Sequence, residues 1–231
     1  MNIIFDVLNL IKIITAIISV IFAFIVGIRV LLLNPGNLLN RWFTLFFLSS
    51  SVGFLTYTIY HFITFNAHII IPIMIIAQIF FNLIFISLVM TVFVLEKFEK
   101  IAMGLKYLGT MMALFITMSF GYFIWVPSLN PERFEQGIID TETPFGWFIF
   151  VNIIRIGLSI YVVYKYAMMT RKIGEETKKR VQWLFIGIII MVIGLFLNLA
   201  GGILGSILTE IFALIAFDIG TIVLFKGFLI K

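Results

Sequence analysis

Apolar residues run along this chain in long blocks, and the polar residues are gathered into short gaps between them. A block of about twenty apolar residues is what a helix needs to cross the hydrocarbon core of a bilayer. Seven such blocks can be drawn, at residues 8–33, 38–65, 69–95, 101–126, 145–169, 181–200 and 207–230. Asn34-Pro35-Gly36 breaks the first from the second, because the residue before a proline resists helix and glycine accepts the turn. Asn66-Ala67-His68 is read as a tight turn before the third span, which carries Pro72 in its first turn, where a missing N–H costs little. The charged stretch Glu96–Lys100 closes it. One gap is long and polar, Pro127–Pro144. Within it Asn130-Pro131-Glu132 reads as an N-cap, a proline at the first helical position and an acid in the first turn, so a short helix up to Gly137 is expected. The predicted fold is all-α: one seven-helix transmembrane domain over residues 1–231.

Composition agrees with that pattern. The chain is 62% hydrophobic and only 12% charged over 231 residues, which excludes an ordinary soluble domain. The net charge of +5 does not point to nucleic acid, because the basic residues cluster in the short gaps. Arg29, Arg41, Lys97, Lys100, Lys106 and the linker Arg171–Arg180 fall on one side, with Lys226 and Lys231. The opposite side holds Arg133 among Glu132, Glu135, Asp140 and Glu142. The positive-inside rule then puts the N-terminus outside and the C-terminus in the cytoplasm of a multi-pass cell-membrane protein. The N-terminus lacks a basic region, so the first apolar run is read as a retained span rather than a signal peptide. Glu175–Lys179 and Glu176–Arg180 are i,i+4 pairs that would carry helix into the cytoplasm, although a solvated charged loop accounts for them equally.

The polar residues inside the spans are the candidate site. A charge at mid-membrane costs at least ~2.5–3.5 kcal/mol on insertion scales, so it normally turns inward to a partner. Arg155 lies ~15 Å below the start of the fifth span and Asp218 ~16 Å below the start of the seventh, at 1.5 Å per residue. Their depths match, and an Arg155–Asp218 ion pair is expected, either fixing helix register or serving a ligand. Gln78 and Asn82 in span three, and Asn152 in span five, bracket the same level as a polar core. Lys12 and Glu210 are a second depth-matched set near the outer surface. They form an outer ion pair if the first and last helices adjoin, but Lys12 reaching the headgroups unaided is the simpler expectation. Tyr57, Tyr60 and His61 give span two an aromatic, polar outer half, as a pocket facing outside would have; tyrosine as a simple anchor at the bilayer interface accounts well for Tyr60 and less well for the deeper Tyr57. Gly187, Gly194 and Gly201, with Asn198, suggest a close-packed helix seam holding one polar member.

Several chemistries are excluded. There are no cysteines, and the two histidines, His61 and His68, have no acid placed to join them, so no metal site is expected. No hydrolase, metalloprotease or nucleotide-binding motif occurs. A retinal Schiff base would need a lysine at the level of Asp218. We therefore expect neither enzyme nor cofactor.

The first polar turn and most of the second span, Asn34–Ile59, read NPGNLLNRWFTLFFLSSSVGFLTYTI. This resembles the N-terminal seven-helix sensor region of prokaryotic histidine kinases, in which a polar turn, Asn-Arg, one residue and Phe open the second helix. Glu175–Asn198, EETKKRVQWLFIGIIIMVIGLFLN, is similar to the approach to helix six in that family. The resemblance implies a sensor whose ligand-facing side is external. In that family a signalling domain follows helix seven, whereas this sequence stops at Lys231; the expectation is either a stand-alone relative that passes its signal to a separate cytoplasmic partner or a different role. The resulting expectation is a receptor-like membrane sensor for a small extracellular ligand, in the lipid bilayer, with a homodimer admitted and nucleic acid excluded. The alternative is a small-solute or ion transporter using Arg155 and Asp218.

Overall fold

The computed structural model describes residues 3–62, 66–135, 139, 141–172 and 174–230. The elements in order are α1 (Ile3–Leu33), α2 (Leu38–Phe62), α3 (Ala67–Lys97), α4 (Glu99–Ala102), a π-helical turn (Leu105–Gly109), α5 (Thr110–Ile124), β1 (Ser128–Leu129), α6 (Pro131–Glu135), β2 (Thr141–Glu142), α7 (Phe145–Lys172), α8 (Glu175–Leu204) and α9 (Ile207–Leu229). Among the described residues seven helical segments are long and apolar enough to cross a membrane. The chain is thus an all-α, multi-pass membrane protein. Its outward faces carry large apolar side chains such as Phe24, Ile116, Phe120, Ile153, Ile193 and Phe212, which suit contact with lipid.

The helices close into a ring in the order α1, α2, α3, α7, α8, α9, with α5 packed outside against α3 and α7. Two of these interfaces show how the helices are joined. Between α1 and α2, side chains of α2 donate to carbonyls of α1: Asn40 Nδ2 to Val30 O at 3.0 Å, Thr44 Oγ1 to Gly27 O at 3.2 Å and Ser51 Oγ to Val20 O at 3.0 Å. The turn before α2 is set by Asn37, whose Oδ1 accepts from Leu39 N and Asn40 N, and by Arg41 Nε donating to Pro35 O at 2.7 Å. Between α8 and α9, missing side chains let the backbones touch. A Cβ on Gly187 would come within 2.7 Å of Leu224 N, and one on Gly220 within 2.9 Å of Gly187 O. Gly194 meets Ala213 O in the same way. The glycine seam expected from the sequence is therefore present, and it binds α8 to α9. α8 ends at Gly205 (φ +62), the conformation a glycine adopts without Cβ strain.

Element bounds depart from expectation in three places. The fourth crossing does not begin at Ile101: α3 stops at Lys97, Phe98 takes a positive φ of 63°, and the chain breaks again at Gly104 before the π-helical turn. Helix enters the basic linker from both sides, since α7 reaches Lys172 and α8 begins at Glu175 after the extended Gly174; the Glu175 and Glu176 side chains lie outside the described residues. The polar loop forms its short helix, α6, but also a two-stranded pairing in which Ser128 faces Glu142 and Leu129 faces Thr141. Gly137 and Asp140 lie outside the described residues, as does the side chain of Arg133. Leu129, Phe134 and Ile139 fold back on Tyr60, Ile70 and Met74, capping that end of α2 and α3.

Candidate functional site

Arg155 is buried, at 8% exposure, and faces α3. Its Nε donates to Asn82 Oδ1 at 3.0 Å, and its Nη2 donates to the same oxygen at 2.6 Å and to Gln78 Oε1 at 2.9 Å. Gln78 and Asn82 are one helical turn apart, so both amides reach one guanidinium from a single face of α3. α5 supplies an outer layer. Tyr122 Oη donates to Gln78 Oε1 at 3.2 Å, and Asn82 Nδ2 donates to Ser119 Oγ at 3.4 Å. The amides are thereby held with their oxygens towards Arg155. Hydrogen bonds to a charged group contribute about 1.5–3 kcal/mol each, enough to offset much of the desolvation.

The expected Arg155–Asp218 ion pair is absent. Every partner of the guanidinium is neutral, and among the described residues no carboxylate lies within ion-pair distance of it. Asp218 is equally buried, at 8% exposure, but its side chain lies against Ser19 of α1. Its Oδ1 has no hydrogen-bond partner among the described residues. The two residues share a depth but not a face of the ring. Asn152 also leaves the predicted core: its Nδ2 donates to Phe148 O in its own helix at 2.8 Å.

A cavity of about 120 Å³ opens beside Arg155. Phe46 and Phe54 of α2, Phe85 and Leu88 of α3, Met191 and Leu195 of α8, and Leu214 and Phe217 of α9 make it largely apolar. Its polar lining is Arg155 and Ser159 of α7 and Asn198 of α8. Ser159 Oγ donates to Arg155 O at 2.8 Å and so is already engaged. Arg155 lines the cavity with its Nε and Nη2 held by Asn82 and Gln78, and the Tyr122 side chain lies against the guanidinium as well.

Tyr57, Tyr60 and His61 are not part of that cavity. They form a cluster of their own, with ring centroids 4.3–5.4 Å apart. His61 Nδ1 lies 2.9 Å from Tyr57 O. Beside them Lys12 and Glu210 form an ion pair, and the Lys12 ammonium also sits 5.3 Å from the Tyr57 ring centroid. The unaided Lys12 is thus corrected, because α1 and α9 adjoin and Glu210, in the first turn of α9, comes within reach. Phe54, in the cavity lining, packs edge-on against Phe81 at 5.4 Å and Phe217 at 4.9 Å, two further lining residues. Gly53 makes room for Phe81, whose ring would lie 2.7 Å from a Cβ there.

Sequence reasoning missed three pairs of participants. Ser119 and Tyr122 stand three residues apart on one face of the fourth span, a spacing that is visible in the sequence. Thr91 and Tyr166 join α3 to α7 at 3.0 Å. Lys165 pairs with Glu96 at 2.8 Å in the same interface; along the chain both read as members of the charged ends of their spans.

No family model matches this chain, and neither a curated protein nor a solved structure does.

Proposed function

We infer that this protein is a receptor-like seven-helix sensor of the cell membrane, binding a small extracellular ligand and signalling to a separate cytoplasmic partner. The observation that carries the reading is the placement of Arg155. A charge that the fold could have neutralised with a carboxylate is instead held by amides, in the wall of an apolar cavity among α2, α3, α7, α8 and α9. Ionisable groups at this depth are functional sites by default. In this reading the N-terminus is outside, and the α6 loop with its acids faces the ligand's compartment. A ligand reaches the cavity when Phe54, Phe81 and Phe217 part. It then bears on α7, which Tyr166 and Lys165 fasten to α3 towards the basic end. To move that equilibrium the ligand must bind one arrangement of α7 better than the other. The transporter reading loses its charged pair, since Asp218 faces α1 rather than the cavity.

Two measurements test this. Glu135→Cys should label from outside intact cells and Lys178→Cys should not, in a background that has no other cysteine. A ligand of the cavity should raise the melting temperature of the purified protein without being carried across reconstituted vesicles. Saturable uptake abolished by a cavity substitution would replace the receptor with a transporter.

A further inference from the structure

The geometry points to an apolar monocarboxylate, of roughly benzoate to octanoate size, as the ligand of the Arg155 cavity, its carboxylate resting on the guanidinium. This deepens the ligand-binding reading above and rests on it.

Three observations combine. First, the guanidinium has no counter-ion among the described residues, although its Nε and Nη2 are fully engaged by Asn82 and Gln78. Neutral amides satisfy its hydrogen bonds but not its charge. A buried cation therefore attracts an anion more strongly than any neutral ligand. Second, Arg155 lines the cavity while its Nε and Nη2 are pinned to α3. The fork is thus oriented in advance, and binding need not order it. Third, the rest of the lining is aromatic and aliphatic, apart from Asn198 and Ser159, whose hydroxyl is already bonded to Arg155 O. An inorganic anion would leave that surface uncovered; an acid with an apolar body covers it. Size is set by the volume. A cavity of about 150 Å³ accepts benzene, and this one, at about 120 Å³, takes a body of similar bulk rather than a long acyl chain. The acid could be water-borne or released from bilayer lipid. The shared chemistry is a carboxylate on an apolar body, and chain length separates the two sources.

The test uses the full chain purified in an uncharged maltoside at fixed ionic strength. Thermal unfolding is followed with benzoate, hexanoate, octanoate and palmitate, with the matching amides, and with chloride and bromide. Benzoate to octanoate should raise the melting temperature in a saturable way, by several degrees at high occupancy, and their amides and the halides should not. Arg155→Gln should abolish the response. Because that variant strips a core group and can fail to fold, Leu195→Trp is the second probe: it fills the cavity, leaves the bonds to Gln78 and Asn82 in place, and should also abolish it. Equal shifts from acid and amide, both lost in Leu195→Trp, would overturn the anion while keeping a ligand cavity. Halides acting as well as the acids would overturn the organic body. A response confined to palmitate would overturn the small acid and assign a bilayer source. A protein that answers to none of these, and is stabilised by Leu195→Trp, has only a void there, and the ligand-binding reading falls with the inference.

Discussion

Arg155 and Asp218 sit at the same depth in the same ring and are equally buried, yet the fold treats them in opposite ways. Around Arg155 four side chains from two helices converge, and the two amides are themselves held by Tyr122 and Ser119. Around Asp218 nothing comparable is built among the described residues: one oxygen is orphaned, and Thr221, one turn on, has an orphaned hydroxyl too. A cation that costs several kcal/mol to bury is retained when its hydrogen bonds are supplied in advance. A carboxylate can escape the same cost by taking up a proton, so it needs less support. Equal depth therefore does not imply partnership.

The largest test of this contrast is Asn82→Leu. It removes the oxygen that accepts two bonds from the guanidinium and leaves Arg155 buried with one amide, so it should cost about 3 kcal/mol in reversible unfolding in mixed micelles. Packing alone should give a smaller effect elsewhere: Gly187→Val forces α8 off the Leu224 backbone and should cost about 1–3 kcal/mol. A double-mutant cycle sharpens the comparison directly. Arg155→Met with Asp218→Leu should be additive to within about 0.5 kcal/mol, as expected for groups that share no partner, whereas Arg155→Met with Asn82→Leu should be strongly non-additive. Coupling between Arg155 and Asp218 of about 3 kcal/mol would restore the ion pair and undo the contrast. Smallest of all, Asp218→Asn should change stability by less than about 1 kcal/mol, because no cation loses a partner. A collapse of the fold on that substitution would mean that Asp218 is held as firmly as Arg155.

The same contrast shows what could be read along the chain. The number of spans and their ends follow from block length, proline and glycine, and the structure keeps them to within a few residues except at Phe98–Gly104. There a positive φ falls within the charged stretch, and a π-helical turn interrupts the start of the fourth apolar run. Depth was legible too, because a helix rises 1.5 Å per residue whatever surrounds it. Gly187 and Gly194 were legible as a seam because only a missing side chain lets helices approach so closely.

Partnership was not legible. In water a helix shows its buried face by alternating apolar with polar residues. In this chain the lipid-facing side is as apolar as the core, so the sequence does not say which way Arg155, Asp218 or Asn152 is turned. Only the closed ring decides that. It set Arg155 against Gln78 and Asn82, turned Asp218 towards Ser19, left Asn152 bonded to its own helix, and brought Lys12 to Glu210 by placing α1 beside α9. The sequence by itself determined how many helices cross and how deep each polar group lies. The tertiary structure alone determined which of them meet, because rotation about a helix axis is fixed by packing neighbours and not by position along the chain.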